Sequence, residues 1–415
     1  MSVINLPVKN IPLPNGFKVG GVRSGIHNKA GKKDLALFIS QTPADAAAMF
    51  TQSVTKAAPV ILDMEILKKN KKISAIIANS GCANACTGKK GMSDAKEMCA
   101  LTEKAFNLEK GTALCASTGV IGQYINMPKL KTGMDLLKNA VGTSSKNEQE
   151  AVTAIMTTDT FAKTASAKIR VGANGSAIGT EIKIWGCAKG AGMIHPDLRG
   201  LHATMLSFIL TDAKIDSKSL QKLLEHAAEQ SFNCVSVDGD TSTNDTLIIL
   251  ANGQSKTNRL SPADMKKFAQ ALNKVTLSLA KQMAKDGEGA TKLIEIEVKN
   301  AKNKEDAKKI ASTIATSPLF KTAIFGADAN WGRVIAAAGR AGVNFDPMKT
   351  DVYFGGILTC KNGMAINFSE SKAKKALLKK EVKIAVDLKA GKACSKYYTC
   401  DFSYDYVKIN GDYRS

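Results

Sequence analysis

Ala203-Thr204 is the point at which this chain could do covalent chemistry. A small residue precedes a threonine at the start of the apolar run Met205-Leu206, and the glycine-rich stretch 189–200 lies just upstream. A hydroxyl is a weak nucleophile near neutral pH; it needs a base close by and donors for the oxyanion it generates. A threonine in a flexible loop can attack the carbonyl before it, and water then opens the resulting ester. Thr204 would become a new N-terminus carrying its own base, an α-amine with an ordinary pKa of about 7.7–8.0. Burial would lower that value and make the amine a better base. Spacing alone equally permits a plainer reading, a β-branched residue opening a buried strand.

The elements that must position this junction alternate short β-rich runs with amphipathic helices. Leu35–Ile39 and Ile73–Ala78 read as buried strands, the second ending in a polar loop at Asn79-Ser80-Gly81. Apolar residues at 92, 95, 98, 99 and 105 have helical spacing, and a second helix starts at Pro128 and carries Leu130, Met134, Leu137 and Val141. Leu114-Cys115-Ala116 leads from a strand into a loop at 117–122, and Thr157-Thr158-Asp159-Thr160 is too polar to continue a helix. Strands at 167–171 and 182–185 flank the turn Asn174-Gly175. Lys189–His202 is a loop, and Met205–Leu210 a strand buried on both faces. Further on come a helix around Leu220 and Leu224, strands at 235–237 and 246–250, and a helix with N-cap Ser261 and Pro262 in its first turn. Period-2 runs at 294–298, 382–388 and 397–409 predict three more strands. Strands and helices so mixed predict a layered α/β protein with mixed sheets.

The chain has 415 residues, 44% hydrophobic and 23% charged, which is ample for a core. No apolar run is long enough to span a bilayer, and the N-terminal residues lack the pattern of a secretory signal, so the cytoplasm is expected. Nine scattered cysteines read as reduced thiols, and Cys82 with Cys86 finds no second pair to complete a zinc site. Four histidines without clustered acids give no metal site. The net charge of +21 raises nucleic acid as a partner, but the lysines are dispersed and no aromatic residues interleave with them. Solvated faces fit better, and acidic small molecules would gain from such a field.

Lys189-Gly190-Ala191-Gly192-Met193-Ile194 and Ala203-Thr204-Met205-Leu206 together resemble the nucleophile region of the ornithine acetyltransferases, the bifunctional ArgJ family of arginine biosynthesis. The likeness extends to residues 78–88, 117–122, 157–160, 286–292, 326–333 and 407–410, in order along nearly the whole chain. It implies a DmpA/ArgJ-like two-lobed α/β fold, N-terminal-nucleophile-like and self-cleaved. The fragments 1–203 and 204–415 would stay intertwined, with an α2β2 assembly. It also implies a ping-pong acetyl transfer from N2-acetylornithine to glutamate through acetyl-Thr204, with no bound cofactor; acetyl-CoA as a further acetyl donor is left open.

By the same resemblance Thr118 and Gly119 form the oxyanion hole, a task that a hydroxyl and a backbone N–H at a strand end suit independently. Substrate contacts fall on Thr157, Lys189, Thr204, Glu288, Asn410 and Ser415, with Thr158 one residue away as an alternative to Thr157. Lys189 can offer a point charge to a carboxylate. Glu288, between Gly287 and Gly289, can come close to a ligand and pair with an ammonium group. Asn410 and Ser415 require the C-terminus to fold back into the site. Three departures stand out: a longer loop at Pro196–His202, Cys82 where asparagine is common, and a changed ending at Asp412–Ser415. Two other functions compete: a self-processed amidase or aminopeptidase using the same Thr204, and a basic nucleic-acid-binding protein.

Overall fold

Residues 11–172, 179–195, 205–257 and 259–412 are described by the computed structural model, and they fall into two units whose chain segments interleave. The first unit takes Met1–Gly190, Pro196–Asn233 and Thr241–Leu279; the second takes Ala191–His195, Cys234–Asp240 and Ala280–Ser415.

The first unit is built on one eight-stranded sheet. Its strands are β1 (Phe17–Val22), β2 (Leu35–Phe50), β3 (Lys72–Cys82), β4 (Ala113–Val120), β5 (Lys163–Val171), β6 (Thr180–Lys189), β7 (Leu206–Thr211) and β8 (Thr246–Ala251). They lie in the order β4-β3-β2-β8-β7-β6-β5, with β1 paired to β2. The pairs β3–β4 and β7–β8 are parallel and the remainder antiparallel, so the sheet is mixed. The two-residue period sorts its side chains cleanly. Leu35, Leu37, Ala75, Ile77, Ala113 and Cys115 face one layer of helices, while the residues between them face the other. The helices are α1 (Ala58–Lys69), α2 (Gly88–Ala105), α3 (Met127–Ala140), α4 (Ser145–Ile155) and α5 (Ser217–Glu229). Met98 of α2 and Leu130 of α3 pack on the first face; Val152 and Ile155 of α4 pack on the second with Phe38, Trp185 and Phe208. All six residues of β7 are buried, as expected of a strand covered on both faces, and its two hydroxyls, Ser207 and Thr211, donate to the Cys187 and Lys183 carbonyls.

Helix α6 (Pro262–Lys285) begins as its sequence predicts, with the Ser261 hydroxyl accepting the Asp264 N–H at 3.1 Å. The second unit follows on a six-stranded sheet: β9 (Leu293–Ala301), β10 (Asp351–Phe354), β11 (Ile357–Lys361), β12 (Met364–Ala365), β13 (Glu381–Asp387) and β14 (Ala393–Cys400). Its order is β12-β11-β10-β13-β9-β14, and only β9 and β13 run parallel. The helices α7 (Lys304–Ala315), α8 (Pro318–Phe325), α9 (Trp331–Gly339), α10 (Glu370–Leu377) and α11 (Tyr404–Gly411) complete it. Ile310 and Ile314 of α7 and Phe320 of α8 pack with Ile294, Ile296, Ile384 and Val386 of the sheet.

Four segments differ from the sequence expectation; the first is 117–120, which runs on as part of β4 rather than turning into a loop. Asn79-Ser80-Gly81 is strand rather than loop, because parallel pairing with β4 carries β3 on to Cys82, with a register shift at Gly81. Residues 235–237 form no strand; Val235 makes a single bridge to Tyr398. The run 397–409 is not one strand. The Asp401 carboxylate takes the backbone N–H groups of Thr291 and Lys292, which ends β14 at Cys400, and α11 follows. The Asn174-Gly175 turn and the junction Ala203-Thr204 lie outside the described residues. None of the nine cysteines is in a disulfide, and no helix among the described residues is long and apolar enough to cross a membrane.

Candidate active site

Thr118 and Lys189 sit at the ends of β4 and β6, with four strands between them in the sheet order, yet their side chains meet. The Lys189 ammonium donates to the Thr118 hydroxyl oxygen at 3.1 Å, and both residues are buried. Because Thr118 Oγ1 accepts that bond, its own proton is left to point elsewhere. The strand end is held firmly. Ser117 donates its hydroxyl to Asn79 Oδ1 at 2.7 Å, and its carbonyl accepts from Asn244 Nδ2 at 2.8 Å. Gly119 has φ +132°, and a Cβ there would lie 2.4 Å from the Gly81 carbonyl carbon, so only glycine fits where β4 turns over β3.

Asp159, which the sequence reading left without a role, ties this cluster together. Its side chain is fully buried, although solvent reaches its backbone. One carboxylate oxygen accepts from Lys163 Nζ at 2.6 Å and from the Gly190 N–H at 2.7 Å; the other accepts from the Thr157 N–H at 3.0 Å. Burial disfavours its charge, but the Lys189 and Lys163 ammonium groups and the Gly190 N–H outweigh that and hold its pKa at about 2. Asp159 thereby fixes the backbone on either side of the site, at Thr157 and at Gly190. A carboxylate in the loop ahead of a strand, with a lysine four residues on, was the available signal, but its long-range partner Gly190 was not readable. Thr157 is also tied at its carbonyl, which accepts from Lys32 Nζ at 2.8 Å.

In the second unit, Glu288 and Asn410 come together. Asn410 Nδ2 donates to Glu288 Oε2 at 2.9 Å and to the Tyr406 carbonyl at 3.0 Å. Glu288 is 7% exposed, and its N–H bonds the Ala191 carbonyl at 2.9 Å. A Cβ on Gly192 would lie 2.3 Å from the Glu288 carboxylate, so the glycine makes room for it. The same 191–195 segment is anchored by Asp238, whose carboxylate accepts the N–H groups of Met193 at 2.6 Å and Ile194 at 2.9 Å. Helix α11 brings Asn410 to Glu288, while Ser415 lies outside the described residues.

Cys82 is buried with its thiol donating to the Gln123 carbonyl at 3.2 Å, and burial raises its pKa, so it packs as a neutral side chain. No group of three metal-ligating side chains occurs among the described residues.

The ArgJ family model matches residues 18–415. A relative from Caldanaerobacter subterraneus, an arginine biosynthesis bifunctional protein ArgJ, is 47% identical over 98% of this chain and 98% of its own. A second of the same name, from Thermotoga neapolitana, is 46% identical over 97% of this chain and 100% of its own. Among solved structures, a chain of the Bacillus halodurans arginine biosynthesis bifunctional protein is 45% identical, covering 50% of this chain and 98% of that one, with a TM-score of 0.49. An ornithine acetyltransferase from Mycobacterium tuberculosis, solved with ornithine, is 33% identical and covers 45% of this chain and 94% of that one, with a TM-score of 0.40. On the family model and the full-length relatives, the chain belongs to the ArgJ family.

Proposed function

We propose that this chain is the ornithine acetyltransferase of arginine biosynthesis and that it works through an acetyl ester on Thr204. Cleavage between Ala203 and Thr204 frees the threonine amine, which takes the proton from its own hydroxyl as the oxygen attacks the acetyl carbonyl of N2-acetylornithine. The oxyanion is met by the Thr118 hydroxyl and the Gly119 N–H. Collapse breaks the C–N bond, the proton passes to the departing amine, and ornithine leaves. The α-amine of glutamate then attacks the ester, N-acetylglutamate departs, and the Thr204 hydroxyl is restored. Glu288, supported by Asn410, takes the side-chain ammonium of ornithine, and Lys189 faces a substrate carboxylate.

The observation that carries this reading is the Lys189–Thr118 bond. It orients a hydroxyl as a donor and raises its acidity, at the end of a strand whose glycine cannot be replaced without a clash. The name shared by the full-length relatives, a bifunctional protein, supports a second acetyl donor, and acetyl-CoA entering the same acetyl-threonine is the form we assign it.

Intact-mass analysis tests the core of this. The wild-type chain should give two fragments, the second starting at Thr204, and Thr204→Ala should stay whole. An uncleaved wild-type chain that turns over acetylornithine would refute the mechanism. Incubation with acetylornithine should yield N-acetylglutamate only when glutamate is present. Glutamate-independent hydrolysis as the main flux would mark an amidase instead.

A further inference from the structure

Lys32 lies on the loop between β1 and β2, a segment to which nothing above gives a catalytic or binding part. That loop is firmly built. The buried Asp34 carboxylate accepts the N–H groups of Ser24, Gly25 and His27 at 2.5, 2.9 and 2.9 Å, and the Ser24 hydroxyl at 2.9 Å. Next to Lys32, Lys33 pairs with Glu150 at 3.3 Å and donates to the Gly21 carbonyl at 3.2 Å. Lys32 is therefore held in place from both sides rather than swinging in solvent.

Its ammonium is half-buried and donates to the Thr157 carbonyl at 2.8 Å. Asp159 and Asp34 act on it only through space, while Lys189 and Lys29 repel it. An ammonium has three donors, and a half-buried one keeps its charge at a cost unless an anion is near. Burial pulls its pKa below the ordinary lysine value, and Asp159 only partly opposes this. Asp159 faces the ammonium groups of Lys189 and Lys163 and acts through space on Lys32 as well, so three cations gather around this carboxylate, with Asp34 also acting on Lys32. A fixed cluster of that composition suits a small-molecule carboxylate better than a neutral group.

We propose that Lys32 is a second cation for the substrate carboxylate, acting beside Lys189 and selecting acetyl donors and acceptors that carry one. This rests on the acetyl-transfer function proposed above, whose two amino-acid substrates both have an α-carboxylate. Lys32 is a specificity-determining residue; it takes no proton and forms no bond in the reaction.

The test compares N2-acetylornithine with N-acetyl-1,4-diaminobutane, which is the same molecule without its carboxylate. Lys32→Gln keeps a donor for the Thr157 carbonyl and removes the charge; Lys32→Arg keeps the charge. Lys32→Gln should lower kcat/KM for acetylornithine by about tenfold to a hundredfold, mostly through KM, as loss of a charged hydrogen bond does. Acetylation of Thr204 by the carboxylate-free analogue should change by less than about threefold. Lys32→Arg should recover most of the acetylornithine activity. Equal losses with both donors, or no loss with acetylornithine, would overturn the assignment and leave Lys32 as a brace for Thr157. A wild-type enzyme that takes no acetyl group from acetylornithine would instead overturn the function itself.

Discussion

Ionising a fully buried carboxylate costs free energy that only nearby positive charge and N–H donors can offset, and Asp159 has both. Its pKa in the folded chain, about 2, lies below the ordinary 3.8. A depressed carboxylate stabilises the fold above the unfolded-state value, and that stabilisation is lost as pH falls through the folded-state one. The window therefore runs from about pH 4 down to about pH 2, and the size is on the order of 2 kcal/mol. Asp159→Asn takes away the carboxylate opposite Lys163 and should cost about 3–5 kcal/mol at neutral pH. In urea titrations the gap from wild type should narrow as pH drops from 4 to 2; a gap that stayed constant from pH 5 to 2 would sink the ionic account. The sequence showed Asp159 only as part of a polar break after a helix. Its meaning comes from Gly190, a partner brought to it by the fold, and no local pattern encodes that contact. Thr118, Lys189, Glu288 and Asn410 stood out in the sequence because each belongs to a family motif, and the structure joins them as two bonded pairs, Lys189 with Thr118 and Asn410 with Glu288.

At the scale of elements, the second unit sets Glu288 by the fit of two loops. The loop 286–292 leaves α6, its Glu288 N–H bonds Ala191, and Gly192 lies against the carboxylate. The atoms that a Cβ on Gly192 would meet belong to the end of a flexible side chain, so the chain would tolerate it while the carboxylate moved aside. Gly192→Ala should leave the thermal midpoint within about 3 °C of wild type. It should raise KM for acetylornithine about tenfold, mimicking loss of the Glu288 contact. An unchanged KM would remove Glu288 from substrate binding. Gly287 and Gly289 in the sequence led to the expectation that Glu288 approaches a ligand; they could not show that Gly192 yields space for its carboxylate. The same limit explains the misread elements. Tyr397–Ile409 alternates like a strand throughout, but Asp401 is drawn to the 291–292 backbone and the remainder coils into α11. Helix α7 buries Ala307, Ile310, Ala311, Ile314 and Ala315, a stripe built mostly of alanine that was passed over in the sequence. By contrast α6 was plain, since a serine cap, a proline and a long stripe agree.

At the scale of the whole chain, sheet order decides what cleavage between Ala203 and Thr204 would release. Strands β1 to β6 precede the junction and β7 and β8 follow it. In the sheet, β8 and β7 stand between β2 and β6. Residues Asp45–Phe50 of β2 pair with β8, Ile184–Lys189 of β6 pair with β7, and β7 and β8 pair with each other. The later fragment thus supplies the middle of the earlier fragment's sheet. Hydrogen-bonded ladders on both flanks, together with buried Leu206, Phe208, Leu210, Ile248 and Leu250, would have to be broken to separate them. The fragments should therefore elute together in gel filtration without denaturant and separate only in denaturant at which the sheet unfolds. Residues 1–203 expressed alone would expose two long, apolar strand edges, at β2 and β6, and should be insoluble. Co-expression with 204–415 should recover soluble material, because the second fragment restores both edges at once. A fragment that eluted alone under native conditions, or a soluble and monomeric 1–203, would show that the chain does not depend on this interleaving.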